Sequence, residues 1–216
     1  MTEIYLDLET IPSQLDWVKK HVSETVKPPA TMKKQETIEK WILEESGAAI
    51  DEAMAKTSFD GAMNHIVCIG YAINDEPAQS FTVEDHTKEA EAITGFYNAI
   101  REYQFGTVFI GHNISGFDMR VLRHRSIILG IKPPSFIPFH AKPWDENPYD
   151  TMVQWDSKNM ISQDKLAKAL GLEGKKGMDG KDVYPAWQAK EFDRIAAYCR
   201  DDVETVRKIY KRMKGF

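Results

Sequence analysis

The chain has 216 residues, 42% of them hydrophobic and 28% charged, a composition that excludes a disordered tail, a collagen-like repeat and a disulfide-stapled miniprotein. Its net charge of −5 argues at first against a nucleic-acid partner, but residues 1–112 carry 9 Lys and Arg against 19 Asp and Glu, whereas residues 113–216 carry 19 against 14. An acidic half joined to a basic half is compatible with an anionic ligand on one face, and equally with an ordinary mixed surface.

The opening MTEIYLDLET has no basic region and no apolar leader, and the longest apolar run, Ile66 to Ile73, is only strand length. Cys68 and Cys199 make no CxxC pair. The expectation is a single domain over 1–216, cytoplasmic, with reduced thiols and no membrane span.

Ile4 to Leu8 alternates in period two, with Ile4, Leu6 and Leu8 facing one way and Tyr5, Asp7 and Glu9 the other. Pro12 closes this strand. Residues 13–60 are polar and helix-forming, broken at Lys27-Pro28-Pro29, and Gln35 to Lys56 is their longest helical stretch. Ile66–Ile73 reads as a strand, Asn74–Pro77 as a turn and Gln79–Val83 as a third strand. Ala90, Ile93, Phe96, Tyr97 and Ile100 predict a helix within Thr87–Tyr103, and TVFIG (Thr107–Gly111) predicts a buried strand. Gly116–Leu129 reads as a helix closed by Gly130.

Residues 131–149 hold Pro133, Pro134, Pro138, Pro143 and Pro148 and predict an extended loop. Thr151–Trp155 is expected as the last strand and Asp164–Leu170 as a short helix. Gly171, Gly174, Gly177 and Gly180 punctuate a flexible, lysine-containing loop before a final helix, Glu191–Lys214. Strands that come first and then alternate with helices indicate an α/β domain with a mixed sheet.

Three segments carry candidate chemistry. Asp7 and Glu9 share one side of a strand whose other side is apolar; a solvated strand surface is the alternative reading. In the final helix Ile195, Cys199, Val206, Ile209 and Met213 form a stripe that demands a core residue at position 202, which is Asp. A buried carboxylate needs a partner. A metal ion would serve, and so would Tyr198 one turn earlier or a backbone group. In GHNISGFD, residues 111–118, Ser115 and Asp118 are spaced as a variant capping box, while Asn113 and Phe117 stand where a strand ends, a usual ligand position in α/β folds.

Together these segments resemble the exonuclease motifs of the DEDD superfamily of 3′–5′ exonucleases. YLDLET matches the first motif through Asp7 and Glu9, HNISGFD the second through Asn113, Phe117 and Asp118, and YCRDD the third through Tyr198 and Asp202. The tyrosine is that of the tyrosine subgroup, and the likeness extends to the proofreading domain of family B DNA polymerases and to stand-alone phage and bacterial relatives. The resemblance implies a ribonuclease-H-like fold, a mixed β-sheet flanked by helices. The helical segment 13–60 would then be an insertion where the superfamily usually has a short hairpin.

The same resemblance implies hydrolysis of phosphodiester bonds at a 3′ end with two divalent ions, Mg²⁺ or Mn²⁺, held by Asp7, Glu9, Asp118 and Asp202. A phenol is a poor base at neutral pH, so Tyr198 is expected to orient the attacking hydroxide. Thr10, Asn113 and Phe117 are candidates for substrate contact, with Phe117 stacking on a terminal base or serving as a core aromatic. Arg120, Arg123 and Arg125, with Lys175, Lys176 and Lys181, are candidates to track a backbone or are simply solvated. DNA is the expected partner, RNA remaining open. With no polymerase domain after residue 216, proofreading is expected only alongside a separate polymerase or repair protein. Two other classes stand beside this one: a non-catalytic nucleic-acid-binding module on the same scaffold, and a haloacid-dehalogenase-like phosphatase, whose Asp-x-Asp is absent here.

Overall fold

The period-two pattern at the start of the chain becomes β1 (Thr2–Ile11), the middle strand of a five-stranded sheet. The computed structural model describes residues 1–104, 106–142, 145–174 and 177–215. After β1 come three helices, α1 (Asp16–Thr25), α2 (Gln35–Glu44) and α3 (Ser46–Lys56), and a 3-10 turn at Thr57–Phe59. The stretch expected to be helical from Gln35 to Lys56 is thus divided at Glu45. The sheet continues with β2 (His65–Ile73) and β3 (Gln79–Thr82), then α4 (Glu89–Ile100), β4 (Thr107–Gly111), α5 (Asp118–Ile128) and β5 (Tyr149–Asp150). Four helices complete the chain: α6 (Thr151–Trp155), α7 (Gln163–Ala169), α8 (Val183–Gln188) and α9 (Phe192–Lys214).

The strand order is β3-β2-β1-β4-β5. β1 pairs antiparallel with β2 and parallel with β4, so the sheet is mixed, as expected of a ribonuclease-H-like architecture. On one face Ile4, Leu6 and Leu8 pack with Ile93, Phe96 and Ile100 of α4 and Val121 and Leu122 of α5. On the other, Tyr5, Ile11, Val67 and Ala72 pack beneath Ile195, Cys199, Val203 and Val206 of α9. Helices therefore cover both faces, and α1 to α3 stand as a helical insertion between the first two strands.

Gly70, the partner of Asp7 across β1–β2, fixes how closely α9 approaches. A Cβ there would lie 2.7 Å from Cys199 Sγ and 3.0 Å from the Cys199 carbonyl oxygen. Only a residue without a side chain lets the helix settle this near the sheet.

Three expectations fail for identifiable reasons. Thr151–Trp155 is helix α6, not a strand, because the Asp150 side chain caps it by accepting from the Met152 and Val153 N–H groups. Ser115 does not cap α5: Phe117 occupies the N-cap without a side-chain bond, and the Asp118 carboxylate turns instead to β1. Arg125 is no surface cation. Its guanidinium is 3% exposed and grips Glu89 with both arms, Nε to Oε1 at 2.8 Å and Nη2 to Oε2 at 2.7 Å. Lys181 belongs to a 3-10 turn, Gly180–Asp182, that leads into α8, neither of which the glycine spacing foretold. Lys175, Lys176 and Pro143 lie outside the described residues. No helix among the described residues is long and apolar enough to cross a membrane.

The Glu89–Arg125 pair sits where α4 and α5 meet β2, with His65 Nδ1 3.3 Å from Glu89 Oε2. Burial pushes the Glu89 carboxyl up, but the bonds from His65 and Arg125, the guanidinium charge and the Ile66 N–H outweigh it and hold the group below its ordinary 4.5. A carboxyl held lower in the fold than in the unfolded chain contributes stability that is complete above the unfolded value and is lost as pH falls through the folded one. Glu89→Gln should therefore lower unfolding stability in urea by about 3–5 kcal/mol at neutral pH, since Arg125 is left buried and uncompensated. The gap between variant and wild type should narrow as pH drops below 4.5; a gap unchanged down to pH ~3 would remove the ion pair as its source.

Candidate active site

Glu9 is only 8% exposed, because α9 covers the side of β1 that carries Asp7 and Glu9. The reading of these acids as a solvated strand surface thus does not apply to Glu9. A register shift between Glu9 and Thr10 interrupts the pairing with β2, which skips Val67 and resumes at Thr10–Ile66 and Ile11–His65. Such bulges bend a strand and re-aim its side chains, and they recur beside active sites.

Asp118, 3% exposed, comes from the first turn of α5. β1 pairs with β4 only as far as Tyr5, so the Leu8 N–H on that edge needs another acceptor. Asp118 Oδ1 takes it at 2.9 Å. Burial pushes the Asp118 carboxyl well above its ordinary value and the charge of Asp7 pushes it further, while bonds from its own N–H and that of Leu8 pull partly back.

Asp202 stands at the core position that the α9 stripe demanded and is 3% exposed. Gln163 Nε2 of α7 donates to its carbonyl at 3.0 Å and to its Oδ1 at 3.3 Å. Tyr198, one turn earlier, hydrogen-bonds to Asp202. Burial raises the Tyr198 phenol far above its ordinary value, and the charges of Glu9, Asp202 and Asp7 add to the effect. It is a protonated donor at any physiological pH.

The side chains converge. Ligand atoms of Asp7, Glu9 and Cys199 all lie within 4.8 Å of one another, Asp118 and Tyr198 both feel the charge of Asp7, and Tyr198, bonded to Asp202, also feels the charge of Glu9. These carboxylates repel one another at one end of the sheet, and a divalent cation among them would offset that repulsion. The donors are hard oxygens, which suits Mg²⁺ or Mn²⁺. Cys199 is the one soft atom, its thiol pushed well up by burial, and its Sγ is 3.5 Å from the Asp7 carbonyl and 3.6 Å from Asp7 Oδ2. A protonated thiol in that position orients Asp7 as a weak donor. Sequence reasoning read Cys199 only as a core residue, and nothing short of the fold reveals its neighbour.

The expected substrate contacts are more scattered. Thr10 Oγ1 donates to the Ser58 carbonyl at 2.8 Å, tying the insertion to β1. Asn113 is half-buried in a left-handed conformation, φ 59°, and its side chain lies over Gly116, where a Cβ would be 2.4 Å from Asn113 Oδ1. Phe117 is half-buried against the core under α5 and meets the ring of Phe59 edge to face at 6.3 Å. The packing fits the reading of Phe117 as a core aromatic.

One organising residue escaped the sequence reading. Asp150 accepts from the Asn113 N–H at 2.9 Å with Oδ1 and from the Ser115 N–H at 3.1 Å with Oδ2, so it fixes the loop that delivers Phe117 and Asp118. An Asp immediately before Thr-Met-Val is a helix-start signal that could have found it.

The comparisons with known proteins bear on the family and the fold. Residues 58–216 match the family model of a predicted 3′–5′ exonuclease related to the exonuclease domain of PolB. Asp7 and Glu9 fall outside the matched range and enter the site by geometry alone. Among solved structures the chain is similar to a family B DNA polymerase from the hyperthermophilic archaeon Pyrobaculum calidifontis, with a TM-score of 0.62 at 17% identity. That similarity covers 99% of this chain and 24% of the polymerase, and it supports the fold. No curated protein matches the sequence.

Asp150→Ala should free the loop without touching the acids on β1 and α9. Amide exchange at Asn113 and Ser115 is expected to speed up roughly tenfold or more, the worth of a charge-assisted bond. Unchanged protection at both amides would mean that other contacts hold the loop.

Proposed function

The chain belongs to the family of predicted 3′–5′ exonucleases related to the exonuclease domain of PolB, and from that premise we propose that it shortens DNA from its 3′ end. Water adds to the phosphorus of the terminal phosphodiester as the bond to the penultimate 3′-oxygen breaks, releasing a nucleoside 5′-monophosphate and a strand one residue shorter. What supports the reading is the closeness of the Asp7 and Glu9 carboxylates, together with the charge that Asp7 exerts on Asp118 and Tyr198 and the hydrogen bond of Tyr198 to Asp202.

Asp7, Glu9, Asp118 and Asp202 would hold two divalent ions, Mg²⁺ or Mn²⁺. Bound there, the ions supply stabilisation of the charge that grows on the attacking and leaving oxygens. Tyr198 contributes position rather than proton abstraction. Its phenol stays protonated, keeps Asp202 in place and presents a hydrogen-bonding oxygen beside Glu9. The helical setting of Asp202 supports this chemistry over the phosphatase alternative, whose later acids end a strand.

The test is single-stranded DNA, duplex DNA and RNA, each labelled at one end or the other, incubated with Mg²⁺, Mn²⁺ or chelator. Mononucleotide release from the 3′ end, abolished by chelator, is the expected result. Binding without cleavage in any metal would favour a non-catalytic nucleic-acid module. Asp7→Ala and Asp202→Ala should each lower turnover at least about 1,000-fold while circular dichroism shows the fold retained. Tyr198→Phe should lower it roughly 10- to 100-fold and leave manganese affinity nearly unchanged. Wild-type turnover in either alanine variant would refute the site.

A further inference from the structure

Phe59 ends the 3-10 turn that closes the insertion, and 66% of its surface faces solvent. A ring left in water on a loose loop would mean little, but this turn is pinned from several sides. Thr10 Oγ1 and Asn64 Nδ2 both donate to the Ser58 carbonyl, at 2.8 Å and 2.9 Å. Thr57 Oγ1 accepts the Ser13 N–H at 2.9 Å. Arg120 Nη2, from α5, donates to the carbonyl of Phe59 itself at 3.2 Å. The ring is presented, not merely exposed.

It is presented beside the candidate active site. The edge-to-face contact with Phe117 places it next to the residue that immediately precedes Asp118. Two residues on, Gly61 lies against His124, where a Cβ would come within 2.7 Å of Nδ1. Phe117, Arg120 and His124 are spaced three and four apart, so they share one face of α5. On that side Arg120, Arg123 and His124 line a cleft with Ser115, closed by Pro138 and Phe139. The Ser115 hydroxyl is buried with no hydrogen-bond partner among the described residues, an unusual condition for a polar atom in a folded chain.

We propose that Phe59 and Phe117 form a stacking platform for an unpaired nucleobase near the 3′ end of the strand, and that the cleft along Arg120 and Arg123 takes a phosphate of the same strand. This rests on the exonuclease reading and names what its site would grip. Aromatic faces stack on any base, which suits an enzyme that must accept every sequence. Guanidinium groups and a spare hydroxyl donor suit a phosphate oxygen. A base already stacked within a duplex cannot use the platform, so the insertion would favour single-stranded or frayed ends.

The experiment compares wild type with Phe59→Ala and Phe59→Trp on a single-stranded oligonucleotide and on the same strand with abasic sites at its last two 3′ positions. Phe59→Ala should raise KM roughly tenfold, with a smaller change in kcat, and Phe59→Trp should restore it. On the abasic strand the difference between wild type and Phe59→Ala should vanish. Equal KM values on the normal strand, or an equal loss on the abasic one, would overturn the platform. Should the wild type cleave nothing, the exonuclease reading fails by itself. The platform is then decided by binding of a 2-aminopurine oligonucleotide, with fluorescence quenching that Phe59→Ala must lose. Arg123→Ala should reduce the salt slope of binding by about 1, and an unchanged slope would remove the phosphate contact.

Discussion

Bringing carboxylates together out of water is the constraint around which the rest of this molecule is arranged. Each such group resists its neighbours, as the upward push of Asp7 on Asp118 shows. The fold meets that resistance with geometry. Gly70 lets α9 descend on the sheet, the truncated pairing of β4 leaves the Leu8 N–H for Asp118, and Gln163 holds Asp202 by both backbone and side chain. The donors gathered in this way are hard oxygens, the kind that divalent cations prefer.

Behind the acids the structure is of another kind. Glu89, Arg125 and His65 form a buried cluster of opposite charges between α4, α5 and β2, on the opposite side of the sheet from α9. It anchors the middle of α5, while Asp118 at the head of the same helix sits among like charges. One helix thus joins a cluster of opposite charges at its middle to a cluster of like charges at its head. Such a division is what a preorganised site requires, since rigid support is what keeps repelling groups in position.

The parts of the fold that repeat locally were legible in the sequence. β1 announced its two faces by alternation, and the α9 stripe exposed Asp202 as an acid at a core position. The capping-box reading of Ser115 and Asp118 fails because their spacing imitates a cap, whereas the Asp118 carboxylate bonds 110 residues back to Leu8. Thr151–Trp155 was misread because a short, β-branched, partly apolar run fits either period, and the Asp150 cap decides between them. Cys199 beside Asp7, and Phe59 beside Phe117, carry no signal of any local kind. Both depend on how distant segments pack, which is where pattern reading loses its grip.

The cluster closes over a very long span of chain: the Cys199 thiol that touches Asp7 is 192 residues away from it. A polypeptide still emerging from the ribosome therefore carries Asp7 and Glu9 long before it carries the helix that completes them. The cluster is therefore complete only once α9 has docked on the sheet. The same helix supplies Ile195, Cys199, Val203 and Val206 to the core on that face, so the order of the cluster and the packing of the sheet stand or fall together.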